Sequence, residues 1–434
     1  MSFTIKDVLN MEVAPALGCT EPSAIALAAS AASSLLSGEE PEAIRLWVDP
    51  NIYKNAFAVS IPGTEGESGL GLAAALGATG GDPALGLEVL DTVDSRDLAR
   101  ARELVRNGNV EVNLLHDHRG LYVRASVMSE GRTAQAVIEG VHDNITSLTL
   151  DGGTLDDHKL IRESMGDHES LEKLESWLRT LRLADLLVLL DDLDEEDMVF
   201  LQRGIDYNLQ LADYGLTHGP GLGIGLGLKR LAEEGMISRD MVLESRILTS
   251  AAADARMSGA KLPAMSSGGS GNHGLTAILP IVAINEFLKV QEYERLLKAV
   301  ALSHLVTAYV KAHTGRLTAI CGCSIAAGAG AAAGVTYLMG GSCGHIAGAI
   351  KNIVGDLAGV ICDGAKDSCA MKLATAAGAA VHAGLFSLHG IFVQSTDGII
   401  GFTSEQTMEN VGTLSNEGMI EADRAILRIM LEKE

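Results

Sequence analysis

Four of the six cysteines occur as two pairs, Cys321 with Cys323 and Cys362 with Cys369. Together they could bind zinc or an iron-sulfur cluster, although neither pair has the Cys-x-x-Cys spacing of zinc knuckles or a ferredoxin run. The alternative is that they are small hydrophobic residues of buried Ala/Gly-rich helices, which suits Cys323 and Cys343 well. It suits Cys362 and Cys369 poorly, because the segment between them is polar and carries three charged residues.

Cys19 is a second candidate for chemistry. The residues that follow it, Thr-Glu-Pro-Ser and an Ala-rich run as far as Leu36, predict a helix with Thr20 as its cap and Pro22 in its first turn. Backbone N–H groups and the helix dipole favour an anion at that end, so we expect the Cys19 thiol to ionise more readily than a free cysteine. Such a thiol could act as a base or nucleophile, or it could be a buried residue beside the cap.

The third candidate is the glycine-rich loop 265–274, which precedes the apolar run 275–282. A loop of this kind that leads into a helix presents backbone N–H groups to an anion. Ser270, Asn272 and His273 could add side-chain hydrogen bonds to a small carboxylate. A flexible connecting loop is the alternative, since a lone histidine is more often structural than catalytic.

The surrounding sequence predicts how these residues are positioned. Residues 1–40 have a helical pattern and are expected to pack on the catalytic domain, residues 41–150 alternate short strand-like runs with helix, and residues 151–434 are mainly helical. The fold class is therefore an α+β N-terminal unit joined to a mostly all-α catalytic domain with buried Ala/Gly-rich helices. The predicted strands are 43–48, 56–61, 110–115, 121–127 and 133–138, and the clearest predicted helix of the α+β unit is 95–106.

The stretch from Leu317 to Ile350 carries no formal charge and is long enough to cross a bilayer. It consists mainly of Ala and Gly, whose transfer into lipid is weakly favourable, and the chain has no aromatic girdle. We therefore expect helix that is buried in protein, where small side chains allow close contact between helices.

Composition excludes several partners. The 434 residues include 56 acidic and 33 basic side chains, and the formal charge of -23 repels nucleic acid and anionic lipid. The first ten residues show no export signal, so a cytoplasmic location with reduced thiols is expected. Six cysteines in a chain of this length are also too few for a disulfide framework.

A combination of segments resembles the L-cysteine desulfidase family, which is related to the iron-sulfur L-serine dehydratases. The resemblance runs in the same order from near residue 10 to about residue 400. The segments that carry it are 18–27, 54–64, 270–274, 321–328, 351–352 and 362–366.

The resemblance implies a [4Fe-4S] cluster that is held by three cysteine thiolates and leaves one iron open to substrate. It also implies a pyridoxal-phosphate-independent reaction in which L-cysteine yields pyruvate, ammonia and hydrogen sulfide. Cys362 and Cys369 are the implied ligands, together with Cys321 or Cys323. Cys321 is preferred because of its distance from the Gly340-Gly341 pair. The related dehydratases space their last two ligands more widely, which favours the desulfidase branch.

The same resemblance assigns the role of base to Cys19, while Ser270, Asn272 and His273 remain the candidates for the substrate carboxylate. It also implies a homo-oligomer with a small-molecule amino acid as substrate.

In the α+β unit, Lys54, Asn55 and Thr64 could face the cleft, although a structural or allosteric role for the unit is equally open. Two other functions also remain open, namely L-serine dehydration by the same cluster and a non-catalytic amino-acid-binding protein with structural zinc.

Overall fold

The computed structural model describes residues 3–64, 66–118, 120–161, 165–290, 292–315 and 318–433. Strands are concentrated in the first 154 residues, and helices fill the remainder. The predicted combination of an α+β N-terminal unit with a helical C-terminal part is confirmed. The strands are β1 (Pro15–Leu17), β2 (Ala43–Val48), β3 (Val110–Leu114), β4 (Tyr122–Ser129), β5 (Arg132–Glu139), β6 (Ile145–Leu150), β7 (Gly153–Thr154) and β8 (Pro263–Met265).

The helices vary from single turns of the α+β unit to long helices of the C-terminal part. They are α1 (Ile5–Glu12), α2 (Thr20–Ser34), α3 (Pro50–Ala56), α4 (Leu70–Gly80), α5 (Ser95–Arg106), α6 (Met165–Leu178), α7 (Leu183–Leu189), α8 (Glu195–His218), α9 (Ile224–Glu233), α10 (Met241–Met257), α11 (Gly271–Leu288), α12 (Tyr293–Thr314), α13 (Ala326–Leu338), α14 (Cys343–Leu357), α15 (Cys369–Leu388), α16 (Ser404–Thr413) and α17 (Ile420–Leu431).

The main sheet has the strand order β3-β2-β4-β5-β6-β7, in which β2 and β3 are parallel and the other neighbours are antiparallel. Helix α2 packs on this sheet, and small side chains such as Ala134 and Ala136 let it approach closely. Helix α4 crosses α2 just as tightly, because a side chain at Gly77 would overlap the Ala26 carbonyl group.

One predicted strand, 56–61, is wrong. Helix α3 occupies the chain just before it, because Asp49 accepts hydrogen bonds from the N–H groups of Asn51 (2.7 Å) and Ile52 (3.2 Å) and Pro50 takes the first helical position. Within the predicted strand, Ser60 makes an isolated bridge to Ser68. A strong helix-start signal therefore outweighed the alternating pattern.

The N-terminal segment 1–40 also packs differently from the expectation. Helix α1 lies on the helical part, where Ile5 and Leu9 join the core that includes α12. Helix α2 belongs instead to the core of the α+β unit. The segment therefore connects the two parts of the molecule rather than packing on the helical part alone.

The helical part is built around α13, which contacts α11, α12, α14 and α15. A side chain at Gly330 would overlap Thr307, and one at Gly334 would overlap Ile281, so these glycines permit the close helix contacts. The uncharged stretch forms α13 and α14, with α13 buried as predicted, while residue 317 at its start lies outside the described residues. Among the described residues, one other helix, α15, is long and apolar enough to cross a membrane, and 56% of its apolar window is buried in the fold.

Two short pairings join distant parts of the chain. Strands β1 and β8 pair antiparallel, with Pro15 opposite Met265, and so bring the residues before α2 next to the loop before α11. An isolated bridge between Ile320 and Ile361 brings the two cysteine pairs together. Both pairings end at the same cavity.

Candidate active site

A cavity of about 90 Å³ lies where the α+β unit meets the helical part. Most of the residues that the sequence singled out line it, and three of its elements come from widely separated parts of the chain. The predicted site residues on its wall are Cys19, Asn55, Ser270, Asn272, His273, Cys321, Cys323, Cys362 and Cys369.

The cysteines are positioned by the backbone around the Ile320–Ile361 bridge. The N–H group of Cys321 donates to the Val360 carbonyl group at 2.9 Å, and that of Cys362 donates to Ala319 at 2.7 Å. Gly364 then turns the chain at a φ of 93°. A side chain there would overlap the carbonyl group of Lys54, so a glycine allows the cysteine loop to lie directly against α3.

The cysteine thiols do not have equal acidity. A hydrogen bond from the Cys323 thiol, with further ones from Ser324, lowers the pKa of Cys321 to about 6, whereas the pKa of Cys323 is raised by the same pairing and by burial. Burial also raises the pKa of Cys362 and raises that of Cys369 to about 11. Cys321 is thus the thiol of this group that ionises most easily.

The donor set suits an iron-sulfur cluster better than a single ion. In the described part of the chain, no three His, Cys, Asp or Glu side chains converge on one point as the ligands of one ion would. A cluster takes one thiolate for each iron, so its ligands need to border a volume, as these cysteines do. Lys372 lines the same cavity and supplies positive charge beside the thiols.

Cys19 differs from the expectation in two ways. It is itself the N-cap of α2, a position predicted for Thr20, and its Sγ donates to Oε2 of Glu21 at 3.0 Å. Its pKa is raised well above the ordinary value, chiefly by burial and then by the Glu21 carboxylate, with Arg256 opposing the shift. The prediction of an easily ionised thiol is therefore wrong, because burial outweighs the helix dipole.

The first turn of α11 forms the opposite wall. Ser270 is its N-cap but makes no side-chain hydrogen bond to the helix, so the first N–H groups are not capped by its hydroxyl. Arg256 is buried beside it and donates to Oδ1 of Asn272 at 2.9 Å and to the Gly18 carbonyl group at 2.6 Å. Among the described residues, Nε of Arg256 has no hydrogen-bond partner. This wall presents several donors and a positive charge, as an anionic group requires.

His273 is a neutral hydrogen-bond acceptor at this wall. Its Nδ1–H group donates to the Ser267 carbonyl group at 3.2 Å, and burial, helped by Lys311, lowers its pKa to about 3. Its Nε2 atom therefore carries a lone pair, and it lies so close to Gly322 that a side chain there would overlap it. Such a ring suits a donor such as a thiol better than a carboxylate.

Two predicted residues of the α+β unit lie off the cavity wall. The ammonium group of Lys54 is buried and pairs with Asp423 of α17 at 2.5 Å. The Thr64 hydroxyl donates to the carbonyl groups of Ile61 at 2.7 Å and Glu67 at 3.1 Å. The structure therefore uses both side chains within the fold, whereas Asn55, next to Lys54, lines the cavity.

Charged residues that the sequence did not single out also line the cavity: Glu21, His142, Arg256, Lys311 and Lys372. Glu21 lies two residues after Cys19 within one of the quoted segments, so its position was an available signal. The others occur in segments without a distinctive pattern, and tertiary packing alone brings them to the site.

Comparison with known proteins agrees with the resemblance in the sequence. A family model described as serine dehydratase alpha chain matches residues 85–428. A UPF0597 protein of Desulfatibacillum aliphaticivorans is 59% identical over 437 residues, which cover 100% of this chain and 99% of that protein. A UPF0597 protein of Clostridioides difficile (strain 630) is 43% identical over 98% of both chains. The chain therefore belongs to the serine dehydratase alpha chain family, which confirms the predicted relation to the iron-sulfur L-serine dehydratases.

Proposed function

We propose that this chain is a [4Fe-4S]-dependent, pyridoxal-phosphate-independent lyase that eliminates sulfide from L-cysteine and yields pyruvate, ammonia and hydrogen sulfide. The observation that carries the proposal is the meeting of Cys19, the α11 N-terminus and four further cysteines around one cavity. Membership of a dehydratase family supports elimination from a small amino acid as the type of reaction.

Cys321, Cys362 and Cys369 are the proposed cluster ligands. Of the pair Cys321 and Cys323, we assign Cys321 as the ligand because it is the thiol that ionises more easily, and metals bind the thiolate. When bound, the cluster would supply a Lewis-acidic iron that holds the substrate sulfur and makes sulfide a better leaving group.

The protein side chains would orient the amino acid and remove its α-proton. Ser270, Asn272, Arg256 and the first N–H groups of α11 would hold the carboxylate. The Cys19 thiolate would take the proton from Cα, the C–H electron pair would form the Cα–Cβ double bond, and the Cβ–S pair would leave with sulfide. The resulting aminoacrylate hydrolyses to pyruvate and ammonia. A raised pKa makes the Cys19 thiolate a strong base once it has formed.

L-Serine dehydration is the second candidate, and the family description favours it. The same residues would perform the same α-proton removal, with hydroxide instead of sulfide as the leaving group. Both reactions yield pyruvate, but only cysteine yields sulfide.

The decisive experiment is a paired assay. Anaerobically purified and reconstituted protein is given L-cysteine or L-serine, and sulfide and pyruvate are measured together with iron content. We expect equal sulfide and pyruvate from cysteine, lost together with bound iron in Cys362→Ala and Cys321→Ala. Cys323→Ala should retain most of the iron, and Cys343→Ala, which changes an exposed thiol outside the cavity, is the matched control.

Pyruvate from serine without sulfide from cysteine would transfer the assignment to the dehydratases. No product from either substrate, or iron retained without Cys362, would overturn the proposal. We place the enzyme in the cytoplasm as a homo-oligomer, which size-exclusion chromatography of the reconstituted protein tests.

A further inference from the structure

The charges around the cavity are divided unequally. Arg256, Lys311 and Lys372 contribute positive charge, whereas Glu21 is the one carboxylate among the lining residues that the structure describes. A cavity that bound a simple anion would gain nothing from a buried carboxylate, because like charges repel. A ligand with both charges would gain from all four residues.

Glu21 has a fixed position and spare acceptor capacity. It is 6% exposed, and its Oε2 atom accepts from Cys19 Sγ at 3.0 Å and from the Thr20 hydroxyl at 3.1 Å. Its Oε1 atom lies 3.8 Å from Nε2 of His142, which belongs to the loop between β5 and β6. A carboxylate offers about four lone-pair sites, so further hydrogen bonds can be accepted on the cavity side.

Glu21 and the anion-binding wall flank the proposed base. Both Glu21 and Arg256 are close enough to Cys19 to shift its pKa, in opposite directions. Arg256 also holds Asn272 at the start of α11. An α-amino acid carries its ammonium and carboxylate on the same carbon, so a molecule that spans these two charges has its α-carbon near Cys19.

We propose that Glu21 binds the α-ammonium group of the substrate and so restricts the enzyme to α-amino acids over the corresponding α-hydroxy acids. This inference rests on the proposed function and specifies its substrate class. Charge-assisted hydrogen bonds from an ammonium group to a buried carboxylate are strong, whereas a neutral hydroxyl in the same place leaves the buried charge unbalanced.

The competing explanation is a structural role. Glu21 lies in the first turn of α2, where an acidic side chain stabilises the helix dipole, and it also anchors Cys19. A structural residue would affect every ligand of the cavity alike. The test therefore compares two ligands that differ only in the ammonium group.

The experiment measures binding of L-alanine and L-lactate to the anaerobically reconstituted protein by isothermal titration calorimetry. Neither compound has a leaving group on Cβ, so turnover does not interfere. We expect Glu21→Gln to weaken L-alanine binding by about tenfold or more while L-lactate changes by less than about twofold. Glu67→Gln removes a half-exposed carboxylate of the same unit outside the cavity and is the matched control, with no expected change for either compound.

Equal weakening of both ligands by Glu21→Gln would overturn the inference, as would wild-type protein that binds L-lactate as tightly as L-alanine or binds neither. The sulfide and pyruvate assay on the same preparation separates this result from the proposed function. Glu21-dependent alanine binding without turnover would retain the inference and remove the lyase, whereas turnover without ligand discrimination would do the reverse.

Discussion

The buried ion pair between Lys54 and Asp423 is expected to be a major stabilising contact between α3 and α17. The two side chains are 2% and 25% exposed and lie 2.5 Å apart. Asp423→Asn removes the counter-ion and leaves the more deeply buried ammonium group without a charge partner. Breaking a buried pair in this way costs about 3–5 kcal/mol of the free energy of unfolding.

The inverse change should cost less. Lys54→Met strands the Asp423 carboxylate, which is partly exposed and can be solvated by water. The double variant Lys54→Met with Asp423→Asn removes both charges and should recover most of the loss. An exposed pair on the sheet, Arg45 with Glu111, is the control, and Glu111→Gln should change the free energy of unfolding by about 0–1 kcal/mol.

Urea unfolding, followed separately in each part of the molecule, measures these differences. Trp47 lies in β2 and Trp177 in α6, and they are the two tryptophans of the chain, so single-tryptophan variants report on the two parts. With an m-value of about 3 kcal/mol per molar urea, Asp423→Asn should lower the Trp47 midpoint by about 1 M or more. A loss below about 1 kcal/mol, or a larger loss for Lys54→Met, would refute the assignment of Lys54 as a structural cation.

Further predictions concern helix packing, pH dependence and the one thiol classed as exposed. Gly77→Ala should destabilise by about 1–3 kcal/mol because its new methyl group would overlap the Ala26 carbonyl group, whereas Gly227→Ala, with open space inside α9, should stabilise by about 0.5–1 kcal/mol in urea titrations. Burial raises the pKa of Asp49 from 3.8 to about 6, so the folded state binds this proton more tightly than the unfolded chain. The resulting stability is present below pH 4 and is lost as the pH rises to about 6; Asp49→Asn should abolish about 3 kcal/mol of that pH dependence, and unchanged slopes would contradict the shift. Cys343→Ser should leave iron content unchanged and remove disulfide-linked dimers from non-reducing gels of oxidised protein, since the other cysteines are buried or partly buried.

The comparison of sequence and structure shows which inferences are local. Helix α5 begins and ends at the predicted residues, Ser95 and Arg106, because a capping aspartate and an amphipathic pattern are encoded within the segment itself. The false strand at 56–61 has a similar origin, since the alternating pattern was read without the weight of the preceding Asp49-Pro50 helix start. Short-range rules succeed where one local signal dominates and fail where two compete.

By itself, the sequence determined the fold class, the helix and strand content and the identity of the thiols and the glycine-rich loop, because these depend on periodicity, capping and composition along the chain. The ionisation of Cys19 was decided by the tertiary structure, since burial and the neighbouring Glu21 oppose the local helix dipole. The same is true of Lys54, whose partner lies 369 residues away in α17. Charges act through space and through the local dielectric environment, and folding alone establishes both.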